Sequence, residues 1–119
     1  MPDSIVATWT PPGPALEQLR AVGDLWVWPH DREIDSDILR RRIVDADGLL
    51  CAPTDRIDAE LIDVAAKLGV ISSAAVEVDN IDLEACRRRG ISVGYTPDVL
   101  TDSIADMAWA LLLASSRRL

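Results

Sequence analysis

The chain has 119 residues, a net charge of -8 and an apolar fraction of 49%, without a single Phe. That length suits one domain, and its core must draw on Leu, Ile, Val, Ala and the four tryptophans. A sequence pI of about 4.4 excludes partners that demand a basic face, nucleic acid and anionic membranes among them; it does not exclude a small anion, which backbone amides can hold locally.

Strand-like and helix-like segments alternate along the whole chain. Ile5-Val6-Ala7-Thr8-Trp9 predicts a first strand that ends at Pro11-Pro12-Gly13. Ala15, Leu16, Leu19 and Val22 recur at helical spacing. Asp24 to Trp28 predicts a second strand, closed by Pro29. Asp35-Ser36-Asp37 is a helix start for Ile38, Leu39, Ile43 and Val44. Gly48 to Ala52 is an apolar strand stopped by Pro53. Asp58 caps a helix carrying Leu61, Ile62, Ala65 and Leu68, and Gly69 to Ser73 predicts strand four. Asp82 caps Leu83 to Arg89, which Gly90 terminates. Ile91 to Tyr95 is strand five, and Thr101 or Asp102 starts a last helix reaching about Arg118. No hairpin dipeptide separates the strands, so the pattern implies an α/β fold of parallel strands with right-handed crossovers.

Cys51 and Cys86 lie far apart without metal-ligand spacing, which predicts reduced thiols in a cytoplasmic chain. Met1-Pro2-Asp3-Ser4 lacks the basic start of a secretion signal, and the apolar run Met107 to Ala114 is too short to span a bilayer. That last helix, Ser103 to Arg118, is apolar nearly all round: Ile104, Met107, Ala108, Leu111 and Leu112 line one side, and Trp109, Ala110, Leu113 and Ala114 fill much of the rest. Such a helix expects cover on several sides, and bare it should drive self-association.

Ligands of parallel α/β sheets bind at the carboxyl ends of strands. Here those ends are Thr10-Pro11-Pro12, Cys51-Ala52-Pro53-Thr54, Ala74-Ala75-Val76-Glu77-Val78 and Thr96-Pro97-Asp98. The loop after strand four reads either as a cradle of backbone N–H groups for a carboxylate or as a plain connection. His30 reads as a solvated loop residue and not as a catalytic base. The runs Arg40-Arg41-Arg42 and Arg87-Arg88-Arg89 read as solvated helix faces, since adjacent helical residues diverge. Asp98, Asp102 and Asp106 read as turn, cap and first-turn residues. The acidic loop Asp31, Glu33, Asp35, Asp37 lacks the Gly and terminal Glu of a calcium loop, so no metal site is expected.

Three blocks carry a family resemblance: Val27-Trp28-Pro29-His30-Asp31-Arg32-Glu33-Ile34, Asp55-Arg56-Ile57-Asp58-Ala59-Glu60, and Ala105 through Leu119. Gly90-Ile91-Ser92-Val93-Gly94-Tyr95-Thr96-Pro97-Asp98-Val99-Leu100-Thr101-Asp102, with Val78-Asp79-Asn80-Ile81-Asp82-Leu83 before it, is the most specific stretch. Together they resemble the N-terminal, substrate-side domain of the D-2-hydroxyacid dehydrogenases, nearest the glyoxylate/hydroxypyruvate reductases. The resemblance implies a flavodoxin-like, doubly wound five-stranded sheet in order 2-1-3-4-5. It divides the chain into a substrate-side domain, residues 1–100, and an interdomain helix, residues 101–119. It also implies that Ala75, Val76 and Glu77 hold the carboxylate of a small 2-oxo or 2-hydroxy acid, that Pro53 forms part of the substrate wall, and that Val76 and Thr101 meet the cofactor, NAD or NADP.

Two positions depart from the family pattern. Glu77 stands where relatives usually have Gly. If the loop needs positive φ there, a side chain costs about 1–2 kcal/mol, and a carboxylate about 4 Å from a substrate carboxylate costs roughly 1–4 kcal/mol. Pro53 replaces an apolar residue, usually Leu, and removes one N–H from its loop. The sequence contains no G-x-G-x-x-G turn for a pyrophosphate, and the family's catalytic His, Glu and Arg match nothing here. The expectation is therefore a dehydrogenase domain cut before its nucleotide-binding domain, without a catalytic residue of its own, binding no cofactor tightly and inactive by itself. The other reading is a stand-alone, non-catalytic flavodoxin-like remnant or binding module.

Overall fold

The computed structural model describes residues 2–119. The elements follow in strict alternation: β1 (Asp3–Ala7), α1 (Ala15–Val22), β2 (Gly23–Val27), α2 (Ser36–Ile43), β3 (Gly48–Cys51), α3 (Ala59–Val64), β4 (Val70–Ser73), α4 (Leu83–Arg89), β5 (Ser92–Gly94) and α5 (Thr101–Ser116). The strands form one five-stranded sheet in order β2-β1-β3-β4-β5, and every pairing is parallel. The expected class and strand order both hold. The first two strands begin and end a residue or two earlier than their sequence predicts, although their ladders run on: Thr8 donates to the Leu50 carbonyl at 3.0 Å and Trp28 to that of Ala7 at 2.9 Å.

Alternation along the strands sorts side chains onto two unequal faces. Val6, Leu49 and Ile71 point into the main core, where they meet Leu39 and Ile43 of α2, Leu61 and Ile62 of α3, and Ala85 and Cys86 of α4. Burial of each large aliphatic side chain there contributes about 1.5–3 kcal/mol. The opposite face is thinly covered. Only α1 lies on it, with no buried residue of its own, while Val70 is 47% exposed and Ser72 is open to solvent. Gly23, at the start of β2, is required where it stands, because a Cβ there would collide with the Asp3 carbonyl.

Helix ends follow the sequence in part. The carboxylates of Asp58 and Asp82 accept from the N–H groups of Leu61 at 3.0 Å and Ala85 at 2.9 Å, as N-caps should. Gly90 closes α4 in the left-handed region at φ 68°. Asp35 does not cap α2 with its side chain; Arg32 draws the carboxylate away, at 3.1 Å. The α3 helix stops at Val64, short of Leu68. Arg89 explains how it stops: its guanidinium donates to the carbonyls of Ile62 at 2.9 Å, Ala65 at 3.1 Å and Ala66 at 3.3 Å. One member of the second arginine run is thus a helix C-cap, not a solvated charge. In the first run, Arg42 lies over the Trp26 ring at 4.4 Å.

Like α1, α5 has no buried residue, but it is the longer helix and exposes a run of large apolar side chains: Ile104, Met107, Trp109, Leu111, Leu112 and Leu113 are each 58–65% exposed. No helix is long and apolar enough to cross a membrane among the described residues.

Candidate functional site

The carboxyl ends of β1, β3 and β4 meet along one edge of the sheet, and a buried polar frame fixes their loops. Asp55, 5% exposed, accepts from the Thr8 hydroxyl and from the Ala52 N–H at 2.7 Å. The Ala52 N–H also lies 3.1 Å from the Thr8 hydroxyl oxygen. Asn80 donates its amide to the carbonyls of Asp55 at 2.9 Å and Ala52 at 3.3 Å. An isolated parallel bridge joins Ile57 to Ile81, with the Ile57 N–H on the Asn80 carbonyl and the Asp82 N–H on that of Ile57, both at 2.9 Å. Buried polar groups that are fully paired rigidify what they join. The loop after β3 and the segment leading into α4 therefore move as one piece.

The loop after β4 is tied where it leaves the strand. Ala74 donates to the Cys51 carbonyl at 3.5 Å, and the Ala75 carbonyl accepts from both the Thr96 N–H at 2.9 Å and its hydroxyl at 3.0 Å. The loops after β4 and β5 are thereby clamped together. From there on, the N–H groups of Ala75, Val76 and Glu77 donate to no acceptor among the described residues. Consecutive unpaired amides of this kind suit an anion. Ala75 and Val76 are half-buried, while Glu77 is exposed and takes part in no ion pair among the described residues.

The strain that a side chain at position 77 predicts is absent. Asp98 and Arg118 are the non-glycine residues with positive φ among those described, and Glu77 is not one of them. The loop takes an ordinary backbone path, so its carboxylate rests in solvent at no conformational cost. Pro53 is exposed on the loop after β3, two residues beyond the Cys51–Ser73 register pair that sets β3 beside β4. The structure thus brings Pro53 and Ala75–Glu77 to adjacent strand ends. Thr101 stands apart, exposed in the first turn of α5.

A cleft of about 410 Å³ opens between the ends of β1, β2 and β3, lined by Thr8, Trp9, His30, Arg32, Ala52 and Asp55 among others. His30 is exposed, as its sequence setting predicts, but it packs edge-on against Trp28 at 4.6 Å. Trp28 is 4% exposed and donates its indole N–H to the Arg32 carbonyl at 2.9 Å. A hydrogen bond from the Arg32 guanidinium holds the Asp35 carboxyl below its ordinary pKa. Beneath the strand ends, Cys51 is fully buried, and desolvation pushes its thiol up to about 11. The Ser73 hydroxyl faces that thiol and pulls weakly the other way, yet forms no hydrogen bond of regular geometry. Both cysteines are free thiols, and no cluster of metal-binding side chains occurs among the described residues.

Thr8, Asp55, Asn80 and Arg89 are the residues that sequence reading missed as structural hubs. Apart from the Ala52 N–H beside Asp55, their partners lie 23 to 47 positions away, beyond any local pattern. The available signal was Asp55 itself, an acidic residue placed between the strand-ending Pro53 and the buried Ile57.

The profile of the D-isomer specific 2-hydroxyacid dehydrogenase catalytic domain matches residues 6–117. The chain belongs to this family. It is 46% identical over 108 residues to a glyoxylate reductase of Thermococcus kodakarensis, a match that covers 91% of the chain and 32% of that enzyme. Among solved structures, it superposes on the TT0316 protein of Thermus thermophilus with a TM-score of 0.84 at 46% identity, covering 97% of the chain and 37% of that protein. An NADPH-dependent glyoxylate/hydroxypyruvate reductase from Sinorhizobium meliloti, solved with NADP and malonate, superposes with a TM-score of 0.69 at 25% identity, covering 96% of the chain and 34% of that enzyme. The chain thus spans about a third of the length of these dehydrogenases.

Proposed function

We propose that these residues form the substrate-side half of an NAD(P)-dependent D-2-hydroxyacid dehydrogenase of the glyoxylate/hydroxypyruvate reductase kind. In this reading residues 1–100 are the substrate-side domain and residues 101–119 the helix that joins it to a nucleotide-binding domain. The observation that carries the reading is the run of unpaired N–H groups at Ala75, Val76 and Glu77, held at a strand end by Thr96. Those amides hold the carboxylate of a small 2-oxo acid, and Pro53 bounds the substrate from the neighbouring loop.

The cofactor half does not fit within these residues. No strand-to-helix turn carries the glycine pattern that accepts a pyrophosphate, so no hydride step is assigned to groups of this chain. The nicotinamide supplies the hydride when bound. What this chain offers to it is the half-buried Val76 side chain and the Thr101 hydroxyl. Alone, the 119 residues bind neither NAD nor NADP tightly and reduce nothing. The bare apolar surface of α5 then drives association between copies of the isolated chain. The two buried free thiols suit a reducing, cytoplasmic setting.

A chimera tests the reading: residues 1–119 joined to the remaining two thirds of the Thermococcus kodakarensis enzyme. The expected result is reduction of a 2-oxo acid by NADH or NADPH in the chimera and none by the 119 residues. A folded chimera that binds the cofactor yet reduces no 2-oxo acid contradicts it, as does turnover by the purified chain alone.

A further inference from the structure

We infer that the open face of the sheet is the docking site for α5 of a second copy of this chain, so that two copies exchange their last helices. The inference rests on the proposed association of the isolated chain through α5 and adds to it the surface that receives the helix.

Helices α2, α3 and α4 pack on the main core, which leaves α1 alone on the other face. Beside α1 runs a trough of about 290 Å³, lined by Ile5, Leu19, Val22, Gly48, Leu50 and Val70. Its floor is low at Gly48, where a Cβ would meet Val70 at 3.4 Å and Ile5 at 3.9 Å. Further along, Ser72 and Gly94 are small and exposed. Val22 and Val70 remain 65% and 47% exposed on its sides. A parallel sheet covers such a face with a helix that returns from the carboxyl ends of the strands to their starts. α1 does this between β1 and β2, and the trough has room for a second helix alongside it.

α5 has the composition of that second helix but not its place. Its 16 residues stand off the sheet, and the molecule measures 59 Å in its longest dimension. The radius of gyration is 17.0 Å, against about 13.5 Å for a compact chain of this length. The Thr96–Ala75 clamp fixes where the arm departs, and Asp98 turns the connection through the left-handed region at φ 61°. Held out in this way, α5 meets the trough of a neighbour and not its own. Charge favours the fit. Laid beside α1 in the same direction, α5 brings Arg117 and Arg118 to the strand starts, where Asp3 and Asp47 line the trough. None of these four residues forms an ion pair among the described residues. Area favours it too. With only half of the exposed apolar surface of α5 seated, reciprocal exchange buries about 1,200 Å² in total, which reaches the range of specific interfaces. Exchange of an identical element is a low-cost route to a dimer.

The test combines sedimentation of the 119-residue chain over a range of concentrations with an isotope-filtered NOE experiment on mixed labelled and unlabelled copies. The expected result is a dimer in which methyl groups of Leu111 or Leu112 in one copy contact Val22 or Val70 in the other. Val70→Asp and Val22→Asp, both at exposed positions, should each weaken the dimer about tenfold or more, with circular dichroism confirming that the monomer stays folded. Asp3→Arg should weaken it about threefold, and Arg117→Asp with Arg118→Asp in the same chain should restore it. A dimer whose contacts join α5 to α5, and whose affinity ignores the two valine variants, overturns the trough and leaves association through α5 standing. A monomer at every concentration, with α5 free or folded back on its own sheet, overturns both.

Discussion

The two faces of the sheet are built to different standards. On the α2–α3–α4 side, Ile43, Ile57, Ile62 and Ile71 are wholly buried, and helix ends are closed by Asp58, Asp82, Gly90 and Arg89. On the α1 side and along α5, large apolar residues face solvent: Val22 at 65%, Val70 at 47%, Trp109 at 65%. The difference teaches that the first region holds the fold together, whereas the second is the side that the proposed reading turns towards a nucleotide-binding domain. The loops that form the proposed site lie where the two regimes meet, anchored below by the Thr8–Asp55–Asn80 frame and open above.

This contrast predicts unequal responses to similar substitutions. Ile62→Ala, at a wholly buried position, should cost about 2–5 kcal/mol in urea unfolding, whereas Leu112→Ala in α5, 60% exposed, should stay within about 0.5 kcal/mol. Equal losses at the two positions would break the comparison.

Alkaline pH probes the closed side through Cys51. Its thiol is neutral when protonated, and its native pKa is raised from 9.0 to about 11 by burial. Below the unfolded pKa both states hold the proton and stability is unaffected. As pH rises from 9.0 towards about 11, the unfolded chain ionises first, and stability falls by about 2–3 kcal/mol. Cys51→Ala lowers stability at neutral pH but flattens this decline, leaving a smaller part from Cys86, whose thiol is also raised by burial. Denaturation midpoints at pH 8 and pH 10.5 (on the order of the two limits) measure the slope. An unchanged slope in the variant would contradict the assignment.

The polar frame comes next. Asp55→Ala leaves the Ala52 N–H and the Thr8 hydroxyl without their carboxylate, at a cost of about 1–3 kcal/mol, and should broaden the amide signals of residues 52, 54 and 55. Sharp, unshifted signals would mean that the loop is held by something else. The caps are smaller: Asp58→Ala and Asp82→Ala should each cost about 1 kcal/mol, read from the same unfolding curves. On the open side, Trp109→Asp should leave stability nearly unchanged while moving sedimentation towards the monomer. A clean monomer of the unsubstituted chain at high concentration would remove the case for association through α5.

Most of the fold was legible because its signals are local. Proline stops after β2 and β3, aspartate caps at 58 and 82, and the glycine at 90 each report on a few neighbouring residues. The helix-end role of Arg89 and the burial of Asp55 were not legible, since both depend on partners that only the folded sheet brings near. Position 77 divides the same way. Its charge was readable, whereas the positive φ that a glycine in relatives would suggest is not adopted there. Residues 75–77 were named from resemblance; their unpaired amides were visible only in the structure.

In the proposed reading the open region faces a nucleotide-binding domain of the same polypeptide. Its most direct test is the intact mass of the native protein, isolated from its source cells through an antibody to this domain. The account predicts a polypeptide of roughly 300 residues, as two domains require. A species of 13.0 kDa as the sole product would contradict it.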